Sequence, residues 1–229
     1  VEDVQLTIDP PVATAGIFGA QNIITTSADW ALNVYAGDVD SDGDMDLLSA
    51  SHEDGKIAWY ENDGDENFTS HTITTSTVGA YSVFTTDLDG DGDMDVLSAS
   101  SGKIAWYEND GNEKFTSHTI TTSVNGARSV FVADLDEDGD IDVLSASSND
   151  NKIAWYENDG DENFSPHTIT TTAAHAFSVY ASDVDGDGDV DILSASLDDD
   201  KIAWYENDGE ENFSPHTITT TADRALSVY

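Results

Sequence analysis

Short β-branched and aromatic runs separated by Gly, Asn and Asp fill this chain, and no segment keeps apolar residues at helical spacing over three turns. Such runs are strand and hairpin signals. The first is Leu32-Asn33-Val34-Tyr35, matched at Tyr81 to Phe84, Arg128 to Phe131, Phe177 to Tyr180 and Leu226 to Tyr229. A second strand is predicted over Met45 to Ser51 and a third over Lys56 to Glu61. The turn Asn62-Asp63-Gly64 leads to a fourth, Phe68 to Thr75. The pattern predicts an all-β chain.

The strands recur as a unit. Trp-Tyr-Glu-Asn-Asp-Gly begins at Trp59, Trp106, Trp155 and Trp204, at spacings of 47, 49 and 49. The one length change falls at Ser100-Ser101-Gly102-Lys103, two residues shorter than Ser51 to Lys56, which marks a surface loop. Four antiparallel strands in about 48 residues match a β-propeller blade. A parallel β-helix is the rival architecture, but its coils are shorter and the Asn-Asp-Gly turn favours antiparallel pairing.

Composition sharpens this picture. Lys and Arg number 7 against 47 Asp and Glu, a net charge of −40, which argues against a nucleic-acid partner. Cysteine is absent, and no apolar run approaches the ~20 residues of a membrane helix, so no membrane insertion is expected. High charge often signals disorder. Here the acids are clustered, and 5 Trp, 8 Tyr and 8 Phe suffice for a core.

The clustering is in four nine-residue loops of the form D-x-D-x-D-G-D-x-D. They hold Asp38, Asp40, Asp42, Asp44 and Asp46; Asp87, Asp89, Asp91, Asp93 and Asp95; Asp134, Asp136, Asp138, Asp140 and Asp142; and Asp183, Asp185, Asp187, Asp189 and Asp191. Carboxylates at loop positions 1, 3 and 5 converge when the backbone curls, and the Gly at 6 permits the bend. Position 7 then offers its carbonyl and the Asp at 9 closes the shell. Oxygen ligands in a flexible cage suit calcium better than magnesium, so about four Ca2+ ions are expected. An EF-hand needs a Glu at position 12 and flanking helices. Here position 12 is Ser49, Ser98, Ser145 and Ser194, and the flanks are strands.

An Asp loop, a strand and an aromatic strand in a ~48-residue repeat resemble the FG-GAP/VCBS repeat family of integrin-α-like propellers. The resemblance covers roughly Gln21 to Tyr229 and implies a propeller with calcium pinning the loop between the first two strands of each blade. Its metal ligands carry onto the Asp residues above, with Asp44 and its equivalents acting through their carbonyls. The Phe-Gly-Gly-Ala-Pro segment of the family name is missing; stretches such as Thr75 to Ala80 replace it. The expected organisation is an N-terminal extension over 1–20, a linker or a donor strand, then propeller repeats over 21–229. Within these lie an orphan strand at 21–27, repeats at about 28–76, 77–123, 124–172 and 173–221, and a partial fifth at 222–229. Either the natural chain continues past Tyr229 or a neighbouring molecule completes the open blades. Val1 to Pro11 lacks the basic and apolar regions of a signal peptide, as in a processed chain or a piece of a longer one.

Residues identical in every repeat read as scaffold. His71, His118, His167 and His216 fall one to a blade, and Trp59, Trp106, Trp155 and Trp204 suit inter-blade packing. Lys56, Lys103, Lys152 and Lys201 read as compensation for the acidic loops. Positions that differ are better candidates for ligand specificity. Trp30, Gly79, Gly126, His175 and Arg224 are equivalent, as are Leu32, Tyr81, Arg128, Phe177 and Leu226 two residues on. Near one rim they suit a carbohydrate or peptide. Asn67, Asn163 and Asn212 lie in glycosylation sequons that also read as turn chemistry.

No nucleophile elbow, metalloprotease motif or phosphate loop is present, so no enzyme is expected. Tyr81, Arg128 and His175 keep a polysaccharide-lyase reading open. The expected function is a secreted or cell-surface module for adhesion or ligand binding, its partner an extracellular protein or glycan. The rival is a filament or surface-layer subunit pairing with copies of itself.

Overall fold

The computed structural model describes residues 22–229, which form sixteen strands and, among the described residues, no helix. The strands fall into four antiparallel sheets in chain order. The first blade is β1 (Ala31–Gly37), β2 (Asp46–Ser51), β3 (Lys56–Asn62) and β4 (Phe68–Thr74). The second is β5 (Ala80–Thr86), β6 (Asp95–Ser100), β7 (Lys103–Asn109) and β8 (Phe115–Thr121). The third is β9 (Ala127–Ala133), β10 (Asp142–Ser147), β11 (Lys152–Asn158) and β12 (Phe164–Thr170). The fourth is β13 (Ala176–Ser182), β14 (Asp191–Ser196), β15 (Lys201–Asn207) and β16 (Phe213–Thr219). The first strands stand side by side, β1 by β5, β5 by β9 and β9 by β13, and the four propeller-like blades do not close into a ring.

Register explains the repeat's fixed residues. Tyr35, Leu48, Trp59 and His71 pair successively across the first blade and make one row. The apolar cores lie between blades: Trp59 is fully buried in a cluster with Val83, Val96 and Tyr107 of the next blade. Trp106 and Trp155 repeat this at the following two interfaces. A buried aromatic side chain removes ~150–250 Å² from water, so each Trp anchors an interface.

Each first strand also carries a β-bulge near its start. Ala31 pairs Ser51 and Asn33 pairs Ala50, leaving Leu32 as the extra residue. The same shift leaves Tyr81, Arg128 and Phe177 as the extra residues of the other three blades. A bulge turns its side chain out of the pleat, a device common beside functional sites.

Leu226 to Tyr229 and Asn22 to Ser27 lie outside any strand ladder, although the pattern predicts a strand at each. Both still occupy blade-like places. Val228 N donates to Ser178 Oγ at 3.3 Å, as Val83 N does to Asn33 Oδ1 and Val130 N to Ser82 Oγ. Lys56 Nζ donates to Ser27 O at 2.8 Å, just as Lys152 Nζ donates to Ser123 O after β8. A ladder needs partner backbone, and none of the described residues supplies it there. The extension at 1–20 and its donor-strand reading lie outside the described residues.

Candidate metal and ligand sites

The Asp loops join the first and second strands of each blade, at the end of the blade where the first strand finishes. Carboxylate oxygens of Asp38, Asp40 and Asp42 lie within 4.8 Å of one another, as do those of Asp87, Asp89 and Asp95, of Asp134, Asp136 and Asp142, and of Asp183, Asp185 and Asp191. Position 1 ties the loop by accepting the N–H of the loop glycine, Asp38 Oδ2 from Gly43 N at 3.1 Å. Position 5 accepts the N–H of position 7, Asp42 Oδ1 from Asp44 N at 2.8 Å. Gly43 stands at φ 98, a left-handed conformation that the bend requires and that favours glycine.

Two loop positions act differently from the rest. The position-7 carboxylates of Asp44, Asp93, Asp140 and Asp189 lie against Gly64, Gly111, Gly160 and Gly209 of the hairpin turns, where a Cβ would push them aside. That leaves position 7 only its carbonyl to offer the loop interior. Position 9 is the loop's brace. Buried Asp142 accepts Leu135 N through Oδ2 at 2.9 Å and Asn158 N through Oδ1 at 2.8 Å, and Asp46, Asp95 and Asp191 do the same in their blades.

The residues present fit a hard divalent cation. Oδ1 of Asp38, Asp87 and Asp134 is buried with no hydrogen-bond partner, a costly state for a carboxylate oxygen unless a cation faces it. Desolvation raises Asp40, Asp89 and Asp136 above the ordinary carboxylate range, and neighbouring loop carboxylates add to it against one backbone N–H each. Burial pushes Asp95 and Asp142 up to about 7 despite their two backbone N–H partners. Each loop can therefore hold a metal ion. Asp187→Ala removes the fourth loop's position-5 carboxylate, which accepts Asp189 N at 3.0 Å. At calcium high enough to fill all four loops it is expected to lower calcium stoichiometry by one in equilibrium dialysis while leaving the other loops intact, since repeat stability is local. An unchanged stoichiometry would refute Asp187 as a ligand.

The loops are coupled across blades. Asn109 Nδ2 donates to Met94 O of its own loop and to Val39 O of the preceding blade's loop, both at 3.2 Å. Asn158 reaches Leu88 O and Asn207 reaches Leu135 O in the same way. One amide thus ties successive Asp loops together.

A second site lies at the opposite end of the blades. A pocket of about 460 Å³ is lined by Trp30, Leu32, His52, Tyr81, Arg128 and Phe177. All four bulge residues meet there. Trp30 and His52 stand 4.9 Å apart by ring centroid, and His52 meets Tyr81 edge-on at 4.9 Å with Nε2 3.0 Å from Tyr81 Oη. The Arg128 guanidinium lies 3.9 Å from the Tyr81 ring centroid and 5.8 Å from that of Phe177, and its Nε donates to Ser148 Oγ at 3.0 Å. Trp30 has φ 54 where Gly79 and Gly126 stand in the next two blades, a conformation costing a non-glycine residue roughly 1–2 kcal/mol. Of the rim residues singled out by sequence, Leu32, Tyr81, Arg128, Phe177 and Trp30 converge, whereas His175, Arg224 and Leu226 stand outside the lining. His52 was not foreseen; its only signal is that Ser101, Ser148 and Leu197 replace it in the other repeats.

The invariant residues are placed as scaffold. His71 stacks on Trp59 at 4.5 Å and its Nε2 lies 2.8 Å from Glu61 Oε2, and the other three His repeat this. Glu113 of the next blade approaches Glu61 and His71, with the His71 Nε2 already paired to Glu61. Lys56, Lys152 and Lys201 pair with Asp54, Asp150 and Asp199 of the turn between the second and third strands, not with the Asp loops at the other blade end. Asn67 Nδ2 donates to both Asp63 carboxylate oxygens, with Asn163 and Asn212 alike, so all three sequon amides brace turns. The Asn67 and Asn163 amides hold Asp63 and Asp159 below the usual carboxylate range.

The described residues contain no helix long and apolar enough to cross a membrane. No curated protein matches the sequence. Among solved structures, a functionally unknown protein from Desulfotomaculum acetoxidans is similar at 14% identity and TM-score 0.60, covering 85% of this chain and 57% of that one. A Lactobacillus plantarum protein gives 15% and 0.59, covering 82% and 57%. The V. cholerae biofilm matrix protein Bap1 gives 17% and 0.56, covering 85% and 29%. The chain thus spans between 29% and 57% of the length of these structures, and the likeness is one of fold. The FG-GAP-like repeat model matches residues 38–98, 87–145, 134–194 and 183–229, each span running from one Asp loop into the next wherever a further loop follows. With four such blades in succession, the chain belongs to the FG-GAP-like repeat family.

Proposed function

We propose that this chain is a calcium-stabilised, non-catalytic ligand-binding module of a secreted or cell-surface protein. One observation carries the reading: the bulge positions that differ between otherwise similar repeats converge on a single pocket. Scaffold selection would keep Leu32, Tyr81, Arg128 and Phe177 alike, as it keeps the Trp, His and Asp residues of each blade. Calcium is favoured by the all-oxygen donor set and the flexible loop. An exterior location is favoured by millimolar calcium there, which can do the stapling that disulfides would otherwise do in a cysteine-free chain. The lyase alternative loses a participant, because His175 lies outside the pocket with Nδ1 3.5 Å from Asp198.

A second reading, a structural subunit, is favoured by the similar fold of Bap1, a biofilm matrix protein. In millimolar calcium, saturable binding of the monodisperse 24.5 kDa chain to a glycan or matrix-protein array is the result expected of a binding module. Calcium-dependent growth in light scattering with no array binding would overturn that reading in favour of the subunit.

A further inference from the structure

We infer that the pocket selects a saccharide bearing a carboxylate, a hexuronic acid unit, with Arg128 as its anion-binding residue. The inference rests on the binding-module reading above and adds the ligand class.

Lys56, Lys114, Lys152 and Lys201 each pair with a carboxylate, whereas among the described residues Arg128, like Lys103 and Arg224, has none within ion-pair distance despite 47 acids. Of these three unpaired cations only Arg128 lines the pocket. Its guanidinium is held instead by the Tyr81 and Phe177 rings and by the single bond from Nε to Ser148. A guanidinium has five N–H donors in a planar fork, so both terminal nitrogens remain for a ligand. That fork matches a carboxylate bidentately, and its rings fix its orientation before the ligand arrives. Its half-buried place among apolar walls strengthens the attraction over that in water.

The walls suit a sugar ring. Trp30, 58% exposed, presents an open indole at the rim. With His52, Tyr81 and Phe177 it offers flat aromatic faces on which the C–H face of a pyranose can stack. The volume is within the ~300–1,000 Å³ range of small-ligand sites. The left-handed backbone at Trp30 is shared by the equivalent Gly79, Gly126, His175 and Arg224 and so belongs to the repeat; what sets Trp30 apart is that its side chain lines the pocket.

Of the acids behind the net charge of −40, 20 sit in the Asp loops, while Glu53 lies at the pocket, 3.4 Å from Nδ1 of the lining His52 and paired with it. Leu32 and Asp38 are six steps apart, along β1 and just past its end, so pocket and Asp loop lie roughly 20 Å apart at ~3.3 Å per residue. The Debye length is about 8 Å at physiological salt, so the loop charges are screened at the pocket.

The test is isothermal titration of the full chain, in fixed millimolar calcium, with tetragalacturonate and with its carboxyl-reduced, neutral counterpart. The acid form is expected to bind at least about tenfold more tightly, and Arg128→Gln should erase that preference. Trp30→Gly, which installs the residue of the sister blades, should weaken both probes without lowering the melting temperature. Because uronates also chelate calcium, titration of each probe into the same calcium buffer without protein serves as the control and should not account for the acid preference. Equal binding of both probes, unchanged by Arg128→Gln, overturns the carboxylate assignment but leaves a saccharide-binding module. Binding of neither probe overturns the inference. If the chain also binds nothing on the glycan and matrix array, the module reading falls with it.

Discussion

Removing calcium with EDTA is expected to lower the thermal midpoint by on the order of 20 °C. Each ion that binds the folded and not the unfolded chain adds RT ln(1 + [Ca]/Kd), about 2.7 kcal/mol at a hundredfold excess over Kd. Three loops have the buried, partnerless position-1 oxygen, on Asp38, Asp87 and Asp134. Together they supply about 8 kcal/mol, and for a chain of this size 1 kcal/mol shifts the midpoint by roughly 2–4 °C. That is a large part of the 5–15 kcal/mol that usually separates native from unfolded states. The fourth loop is built differently: Asp183 is exposed, and its Oδ1 already accepts Gly186 N at 2.7 Å. Calcium titration is therefore expected to show three tight sites and a weaker fourth. Because blades share stability only with neighbours, unfolding without calcium should spread over a wider temperature range. A midpoint and width indifferent to EDTA would exclude calcium as the staple.

What the sequence discloses depends on how far apart the interacting parts lie. The Asp loops, strands and hairpin turns are local, so their residues announce them over nine or ten positions. Even there, Asp46 and its equivalents read simply as ligands closing a shell, and only the fold shows both oxygens taking backbone N–H groups, one of them across the blade at Asn62. Asn109 reads as turn chemistry, yet its amide reaches Val39 O, 70 residues back, which no local pattern reveals. The Lys residues read as partners of the Asp loops because both recur once in every repeat. The nearer cue was the Asp two residues before Lys56, in Asp54-Gly55-Lys56. The rim is a mixed case. Variation between repeats pointed to Tyr81, Arg128 and Phe177, but the bulge that turns them into one pocket appears only in the strand register.

Two carboxylates of one loop are expected to separate the brace from the bystander. Asp142→Ala should destabilise the protein by about 5–8 kcal/mol. It strands the buried N–H groups of Leu135 and Asn158, at ~1–3 kcal/mol each, and removes one calcium site worth about 2.7 kcal/mol. The damage should also cross to the second blade, since Asn158 positions its amide against Leu88 O from the same turn. Asp140→Ala, two residues away, should cost no more than about 1 kcal/mol and keep the stoichiometry of calcium. Its carboxylate faces the hairpin turn at Gly160, and its backbone carbonyl survives the substitution. Denaturant unfolding of both variants with and without calcium measures the difference. In EDTA, Asp142→Ala should still be destabilised relative to the parent, because the N–H bonds are lost whether or not metal is bound. Equal stability of the two variants in EDTA would show that Asp142 acts through the ion alone and would remove its role as the loop's brace.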